Sequence, residues 1–512
     1  MASDGRHKKG LLMNVQRKKI LSVPAAVAAA SLVAACSSNG PSSSPDTTAI
    51  RAILPPNTGQ ISSPQNKALA QYTKEYESAH PKVKVNWLPN STSSITTANA
   101  ALVTQSSGGN AADIVWEQYN PLLSGSIPKG ILQDLRPWLN KANPYIKGNT
   151  RWIDAFEPST VPYMTSPDGS MQILLGSNVE TAFFYSKAAF TKAGITGPPA
   201  SWDEMMQDLG KLKNAGYTPL ALATGGPCNP SWYERLADTQ FLHNSLPKFM
   251  VDKQVVTSGK DVASGIVKGV ISMKNPAYAQ VWKTLYDLKP YILSSASSYD
   301  ACSTPNAVSP PLSPQPLLIR GKAAMLWGGS WFIPQLNEAG FAGKYGLFAE
   351  PPITSATSPH SAAVSTKGVI GGPNGAGQWS ITSQKADSSM TPAKTETVMN
   401  FMSWLFTPEH LSAEVKDWGQ GGSFIPTVKG APVPNVPGLA SLVPAAAPPT
   451  VVDIALDDVL STDTTNTGLR LVSQLMAGGI SFPDFAKHWD QLLQSGARSY
   501  AKQNKIDLNS LK

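Results

Sequence analysis

The chain is expected to fold as an α/β protein, and three stretches say so. Its main body opens with strand, helix, strand. The same alternation returns between residues 172 and 222. A third unit, "LLIRGKAAMLWGGSWFIPQL" (317–336), reads as strand, glycine turn and helix. Strands that alternate with helices form parallel sheets with helices packed on their faces.

Each element follows from local pattern. "TTAIRAIL" (47–54) is a short β run. Leu69, Tyr72, Tyr76 and Ala79 recur at helical spacing, which predicts an amphipathic helix over 65–79, stopped by His80-Pro81. Val83, Val85 and Trp87 alternate with Lys84 and Asn86, a half-buried strand. "ADIVW" (112–116) is the next strand and "ILQDLRPWL" (131–139) a helical piece. In the second set, "QILLG" and "TAFFYS" are strands, and Lys187 to Ala193 is a short helix closed by Gly194. Ser201 and Glu204 form a capping box ahead of Met205, Met206, Leu209 and Leu212, satisfying N–H groups that a helix start leaves without partners. Gly216 ends that helix, and the strand "TPLALA" follows. Residues 230–290 are mostly helical, 294–316 are a Ser/Pro-rich insertion, and "TVMNFMSWLF" (397–406) is an apolar helix stopped by Thr407-Pro408. A proline-laden loop spans 429–449, and 451–512 return to helices.

Ahead of this body lies a leader. Arg17, Lys18 and Lys19 precede an apolar run from Ile20 to Ala35, shorter than the roughly 20 residues of a spanning helix. This is the pattern of a secretory signal peptide, and Met13 is an alternative start to Met1. "VAAC" (33–36) resembles a bacterial lipobox, which implies lipidation of Cys36 and an anchor of several acyl chains. "SSNGPSSSPD" (37–46) reads as a flexible tether. The formal charge is +8, but residues 1–36 carry six Lys/Arg and one Asp, so only +3 belongs to the remainder. That argues against a nucleic-acid partner. Some 15% of residues are charged, against about a quarter in ordinary domains, which suits an exported protein with a large core. Cys228 and Cys302 remain beyond the leader. In an oxidising compartment they are expected to form a disulfide, and so lone a pair makes no metal site.

Four segments, in order, resemble the extracellular solute-binding proteins of ABC importers, in the carbohydrate branch that includes the maltose-binding protein. They are "GSNVETAFFYSKAAFTKAGI" (176–195), "PPASWDEMMQDLGKLKNAGYTPLAL" (198–222), "IRGKAAMLWGGSW" (319–331) and "FMSWLFTPEHLSAEVKDWGQGGSFIP" (401–426). The resemblance implies a periplasmic-binding-protein-like fold: two α/β lobes joined by a hinge that the chain crosses repeatedly, with the ligand cleft between them. By sequence order, lobe 1 is expected at 46–175 plus 350–408 and lobe 2 at 176–349 plus 409–512. The implied partners are a carbohydrate ligand and the transmembrane subunits of an ABC permease, with a monomeric receptor on the outer face of the membrane. No cofactor is implied.

A sugar offers apolar C–H faces and a hydroxyl edge, so it needs aromatic platforms and carboxylates or amides. Each aromatic buries about 150–250 Å², and the chain has 13 Trp. Trp331 follows the "GGS" turn and sits where the family's ligand-stacking Trp falls; the rival reading is a hinge-packing aromatic. Trp116 and Glu117 come at the carboxyl end of a predicted strand, where open α/β sheets bind ligands. Asn178 and Glu180 lie at the expected lobe crossover, Trp379 in "GPNGAGQWSI", Trp232 and Tyr233 after the Cys228 loop, and Asn57 and Gln60 after the first strand. Trp202, Trp404 and Phe406 read as structural.

Catalytic signatures are missing. There is no G-x-S-x-G elbow, no phosphate-binding G-x-x-x-x-G-K-[ST] or G-x-G-x-x-G, and the six His show no zinc spacing. A glycosidase needs only two carboxylates, which keeps Glu117 and Glu180 as a rival pair. A ligand-sensing or adhesive lipoprotein of the same fold is a second rival. Polyamine, phosphate-ester or metal-chelate cargo is a third.

Overall fold

The computed structural model describes residues 47–511 apart from 56–58, 91–94, 118–129, 167, 252–254, 303–311, 365–370, 373–377, 419–423, 434, 436–438, 440–451, 455, 457–458 and 460–461. Cys36 and the leader lie outside the described residues, as does Asn57.

Eleven strands are described: β1 (Thr48–Ile53), β2 (Val83–Leu88), β3 (Ile114–Glu117), β4 (Leu174–Leu175), β5 (Ser177–Ser186), β6 (Thr218–Ala221), β7 (Ala323–Gly329), β8 (Tyr345–Phe348), β9 (Gly371–Gly372), β10 (Gln378–Ile381) and β11 (Ile425–Pro426). They build two sheets. The first runs β2-β1-β3-β10-β4, with β1, β2 and β3 parallel and β10 antiparallel to both its neighbours. The second runs β11-β5-β7-β6, with β8 and β9 also on β5.

The helices that matter below are α1 (Lys67–Ala79), α2 (Trp202–Asn214), α3 (Cys228–Leu242), α4 (Gly259–Val267), α5 (Pro276–Asp287), α6 (Phe332–Glu338), α7 (Pro392–Leu405), α8 (Pro408–Trp418), α9 (Thr462–Ala477) and α10 (Phe482–Gln503). None among the described residues is long and apolar enough to cross a membrane. α1 buries Leu69, Thr73 and Tyr76 on one face, as its periodicity predicts, and Asp417 Oδ2 accepts from the N–H of Ala68 at 2.7 Å to cap it from a distance. The capping box of α2 forms only in part. Ser201 accepts from Glu204 N–H at 3.2 Å, but Glu204 reaches past Ser201 to the N–H of Ala200 at 2.7 Å. Gly216, at φ +88°, takes the left-handed conformation that closes α2.

Two local expectations are corrected. Within 131–139 only Arg136–Leu139 is helical, because Leu132 is taken by a bridge to Thr382 of the first sheet. "LLI" (317–319) lies in a short helix, Gln315–Ile319, rather than a strand.

Each sheet has its own core. Ile50, Leu69, Trp116, Trp379 and Phe401 belong to the first, and Phe183, Trp202, Trp282, Trp327 and Trp489 to the second. The chain passes between them at Gly176, the single residue between β4 and β5. A second passage falls between β9, which pairs with β5, and β10, which pairs with β3. It lies later than the expected boundary at 350. Residues 352–364 stay with the second core: Ile353 is buried there, Pro352 accepts from Trp202 N–H at 3.0 Å, and Val364 accepts from Gln240 Nε2 at 2.8 Å. The third passage also comes later than 408, since Leu411 and Val415 of α8 pack in the first core. Beyond it, β11 pairs with Ser177 and Asn178, and Thr427 N–H donates to Gly176. A disulfide joins Cys228 to Cys302 with Cα atoms 5.9 Å apart.

Candidate functional site

The site is built around the first turn of chain beyond Gly176. β5 opens with Ser177, and its buried residues include Asn178 and Glu180. The Glu180 backbone is clasped by the turn after β7. Ser330 N–H donates to the Glu180 carbonyl at 2.8 Å, and Glu180 N–H donates to Ser330 Oγ at 3.4 Å. That turn needs its glycines. A Cβ on Gly329 would stand 2.0 Å from the Trp331 ring, and one on Gly328 would stand 2.3 Å from Phe332. Trp331 therefore folds back over the turn at the start of α6, half-buried. Its ring meets Trp232 edge-on at 5.7 Å between centroids, and Trp232 meets Trp327 at 6.3 Å.

Glu350 holds this wall. Its buried Oε1 accepts from Trp327 Nε1 at 2.9 Å on β7 and from the Thr181 hydroxyl on β5. Burial pushes its carboxyl up to about 7, so it keeps its proton well above the usual carboxylate range.

The first sheet contributes differently. Trp379 and Trp116 face each other across β10 and β3, edge to face at 4.7 Å, and Trp87 closes on Trp379 at 6.0 Å. Trp379 is 1% exposed and Trp116 5%. Next to them Gln378 pairs in register with Glu117 on one side and Leu175 on the other. Gln378 is 1% exposed, and neither its amide oxygen nor its amide nitrogen has a hydrogen-bond partner among the described residues. Asn178 Oδ1 is in the same condition. Two amides with unmet hydrogen-bonding capacity thus flank the crossover. Leaving such a group dry costs about 1–3 kcal/mol.

Groups from both halves meet nearby. Tyr163 belongs to the first core, and its hydroxyl lies within the electrostatic reach of Asp453, Arg235 and Glu180. Burial raises its pKa, and the Asp453 charge adds to that. Arg235 donates to Asp453, with Nε to Oδ1 at 3.2 Å and Nη2 to Oδ2, and both partners are buried. Of the side chains placed here, Arg235 is the one cation, and its charge is spent on Asp453.

These placements revise the expected aromatic set. Trp379 and Trp116 interlock inside the first core, because β10 and β3 are interior strands whose side chains face packed helices; the structure shows neither as an open platform. Tyr233 is 0% exposed, packs against Trp202 and Trp327, and donates its hydroxyl to Thr284 of α5, so it is a core residue. Trp331, with Trp232 behind it, is the half-buried indole of the expected set. Gln60 is exposed in the turn before α1, where its carbonyl accepts from Asn66 Nδ2 at 2.8 Å. Glu117 ends β3, as placed by sequence. Sequence reading passed over Gln378, Tyr163, Arg235 and Asp453. Gln378 stood next to a flagged Trp, but nothing in the sequence marks a polar residue as orphaned. The one grouping of His, Cys, Asp and Glu close enough to hold a metal among the described residues is Cys228, Asp300 and Cys302, and the disulfide consumes both thiols.

The comparisons with known proteins agree with this architecture. The family model described as "Bacterial extracellular solute-binding protein" matches residues 71–438, well over half of the chain, and the chain belongs to that family. A chitin oligosaccharide binding protein superposes with a TM-score of 0.62 at 20% identity, covering 88% of this chain and all of the other. A probable secreted solute-binding lipoprotein from Streptomyces coelicolor gives a TM-score of 0.62 at 14% identity, covering 89% of this chain and 99% of the other. At these identities the likeness is one of fold. A sn-glycerol-3-phosphate-binding periplasmic protein of Rhizobium meliloti is 32% identical over 69 residues, which are 13% of this chain and 16% of that protein. The chain thus spans well under a third of the length of the curated relatives it matches. The family is one of binding proteins that work outside the cytoplasm.

Proposed function

We propose that this protein is a lipid-anchored receptor that binds a neutral oligosaccharide and delivers it to an ABC permease, whose ATP-hydrolysing subunits are separate chains. The observation that carries the reading is the setting of Trp331: a half-buried indole held over the glycine turn after β7, with two amides of unmet hydrogen-bonding capacity, Asn178 on β5 and Gln378 on β10, flanking the crossover at Gly176. The indole suits the C–H face of a pyranose and the amides suit its hydroxyls. In this reading the two sheets are the centres of two lobes. The passages at Gly176, between β9 and β10 and between α8 and β11 make the hinge, and closure traps the sugar. Moving a hinge from 1:99 to 99:1 takes about 5.5 kcal/mol of differential affinity, and a micromolar ligand supplies about 8 kcal/mol. Cys36 carries the anchor, residues 37–46 are the leash, and the receptor acts as a monomer without a cofactor.

A phosphate ester is the second reading, favoured by the sn-glycerol-3-phosphate relative. Its phosphate needs a cation with charge to spare, and Arg235 is already paired with Asp453. Calorimetry on the chain from Ser37 onward decides between them. Maltotetraose or chitotetraose is expected to bind, and sn-glycerol-3-phosphate is not; the reverse result overturns the sugar reading. Turnover of either sugar would make the protein a glycosidase instead. In the exporting cell, Cys36→Ser is expected to release the full chain from the membrane, and retention there would remove the lipid anchor from the account.

A further inference from the structure

Outside the crossover, a cavity of about 510 Å³ opens on the first half, where α1 ends and β2 begins. That is the size of small-molecule sites, about 300–1,000 Å³. Val83, the first residue of β2, lines it. The proposed sugar cleft lies at the other end of the strands, and β2 alone covers about 17 Å between its ends. The two places are therefore distinct.

The walls are preassembled. Trp138 donates its indole N–H to Glu396 Oε2 at 2.9 Å, which stops the ring from swinging. Across from it, Asn400 Oδ1 accepts from two phenols, Tyr76 at 2.8 Å and Tyr145 at 2.7 Å. His80 stacks on Tyr76 at 4.2 Å and meets the Tyr145 hydroxyl through Nε2 at 3.2 Å. Trp152 also lines the cavity. It is buried, and its indole N–H has no hydrogen-bond partner among the described residues. Lys141 and Glu396 also line it, one cation and one anion.

We infer that this cavity is a second carbohydrate site, taking one pyranose ring. A fixed indole offers a stacking face for the ring's C–H bonds. The Glu396 carboxylate and the Asn400 amide nitrogen offer an acceptor and a donor for adjacent hydroxyls, and a lining with one cation and one anion gives no preference to phosphate or to a polycation. A single ring on one aromatic platform binds weakly, with a dissociation constant of about 1–10 mM. The ring is that of a free sugar or of one unit in a longer glycan, which the two classes of probe below separate.

The test is ¹⁹F NMR of the chain from Ser37 onward, which contains the whole compact unit Thr47–Lys512, labelled with 5-fluorotryptophan. The Trp138 resonance is identified by its loss in Trp138→Phe, and that of Trp331 by its loss in Trp331→Ala. Glucose and N-acetylglucosamine are the monosaccharide probes, and maltotetraose and chitotetraose the chain probes. The Trp138 signal is expected to move with at least one probe, to move equally in Trp331→Ala, and to need at least threefold more probe in Glu396→Gln. Movement with monosaccharides assigns a free-sugar site; movement with tetrasaccharides alone assigns a glycan unit. A Trp138 signal that stays still with every probe up to about 50 mM overturns the inference. So does a signal that moves only as Trp331 saturates and stops in Trp331→Ala. A silent Trp331 beside a responsive Trp138 would instead sink the cleft reading and leave this one standing.

Discussion

The tryptophans of the two sheets stand in different places, and their surroundings differ accordingly. Trp116 and Trp379 sit on interior strands of the first sheet and lock edge to face inside its core. Trp331 sits two residues past a strand end in the second sheet, after a glycine turn, and is half-buried. A strand hands its side chains to whatever covers the sheet, so an indole there becomes core. A turn after a strand end is covered less completely, and the indole there is left half-buried against Trp232 and Phe332. The lesson is that distance from a strand end, even by two residues, decides how completely an aromatic is covered.

The widest separation of the two groups is in stability. Trp379→Ala removes a fully buried indole and leaves a cavity between Trp87, Trp116 and the β10 backbone. A loss of about 3–5 kcal/mol is expected, read as a lower denaturant midpoint at unchanged slope. A loss below about 1 kcal/mol would mean that Trp379 is not core, and the comparison would fail on its first side.

How far the sequence carries the comparison is now visible. Period and caps were legible: Val83 and Val85 alternate inward as read, α1 ends at Ala79, and Ser201 caps α2. The strand after Gly176 was legible too, because "TAFFYS" is an apolar run. The later course of the chain was not. Residues 352–364 look like open loop in sequence, and they are tied to the second core by Ile353, by the Trp202 bond to Pro352 and by the Gln240 hydrogen bonds. Of the candidate site, the sequence points to Trp331 through its glycine turn and gives no sign of the long-range pairing of Arg235 with Asp453. Local sequence reports which face a residue takes, but not what arrives from 200 residues away to cover it.

The wall behind Trp331 is the next place to press. Glu350 has a folded pKa of about 7 against an ordinary 4.5, so the folded state holds a proton that the unfolded state releases. Its contribution is fully present below pH 4.5 and is lost as the pH rises through 7. The full change is at most about 3 kcal/mol. Glu350→Gln keeps an acceptor for Trp327 and Thr181 without the proton to lose. It is expected to match the parent near pH 5 and to be the more stable of the two near pH 8. Asp238 and Glu414, also raised by burial to about 7 and about 8, keep part of the pH slope in both proteins. Identical slopes in parent and variant would free Glu350 from the role of buttress.

Trp331→Ala tests the exposed side directly. Affinity for the oligosaccharide is expected to fall at least tenfold, about 1.4 kcal/mol, while the denaturant midpoint moves far less than in Trp379→Ala. If the two variants lose stability alike and Trp331→Ala binds normally, the two groups of tryptophans are one kind, and the contrast between strand and turn is wrong here.

The smallest effect belongs to the polar side of the first sheet, and its sign is the useful part. Gln378 brings a buried amide with neither end paired among the described residues to the crossover, next to a core that gains nothing from it. An apolar replacement of similar shape escapes the cost of drying the amide, about 1 kcal/mol. Gln378→Leu is therefore expected to raise the stability of the empty protein slightly while weakening sugar binding, because the amide's unmet bonds are what a hydroxyl would satisfy. Stability and affinity moving in opposite directions is the mark of a group kept for a ligand. If Gln378→Leu is less stable and binds as before, the amide is structural, and the first half meets the sugar through other groups.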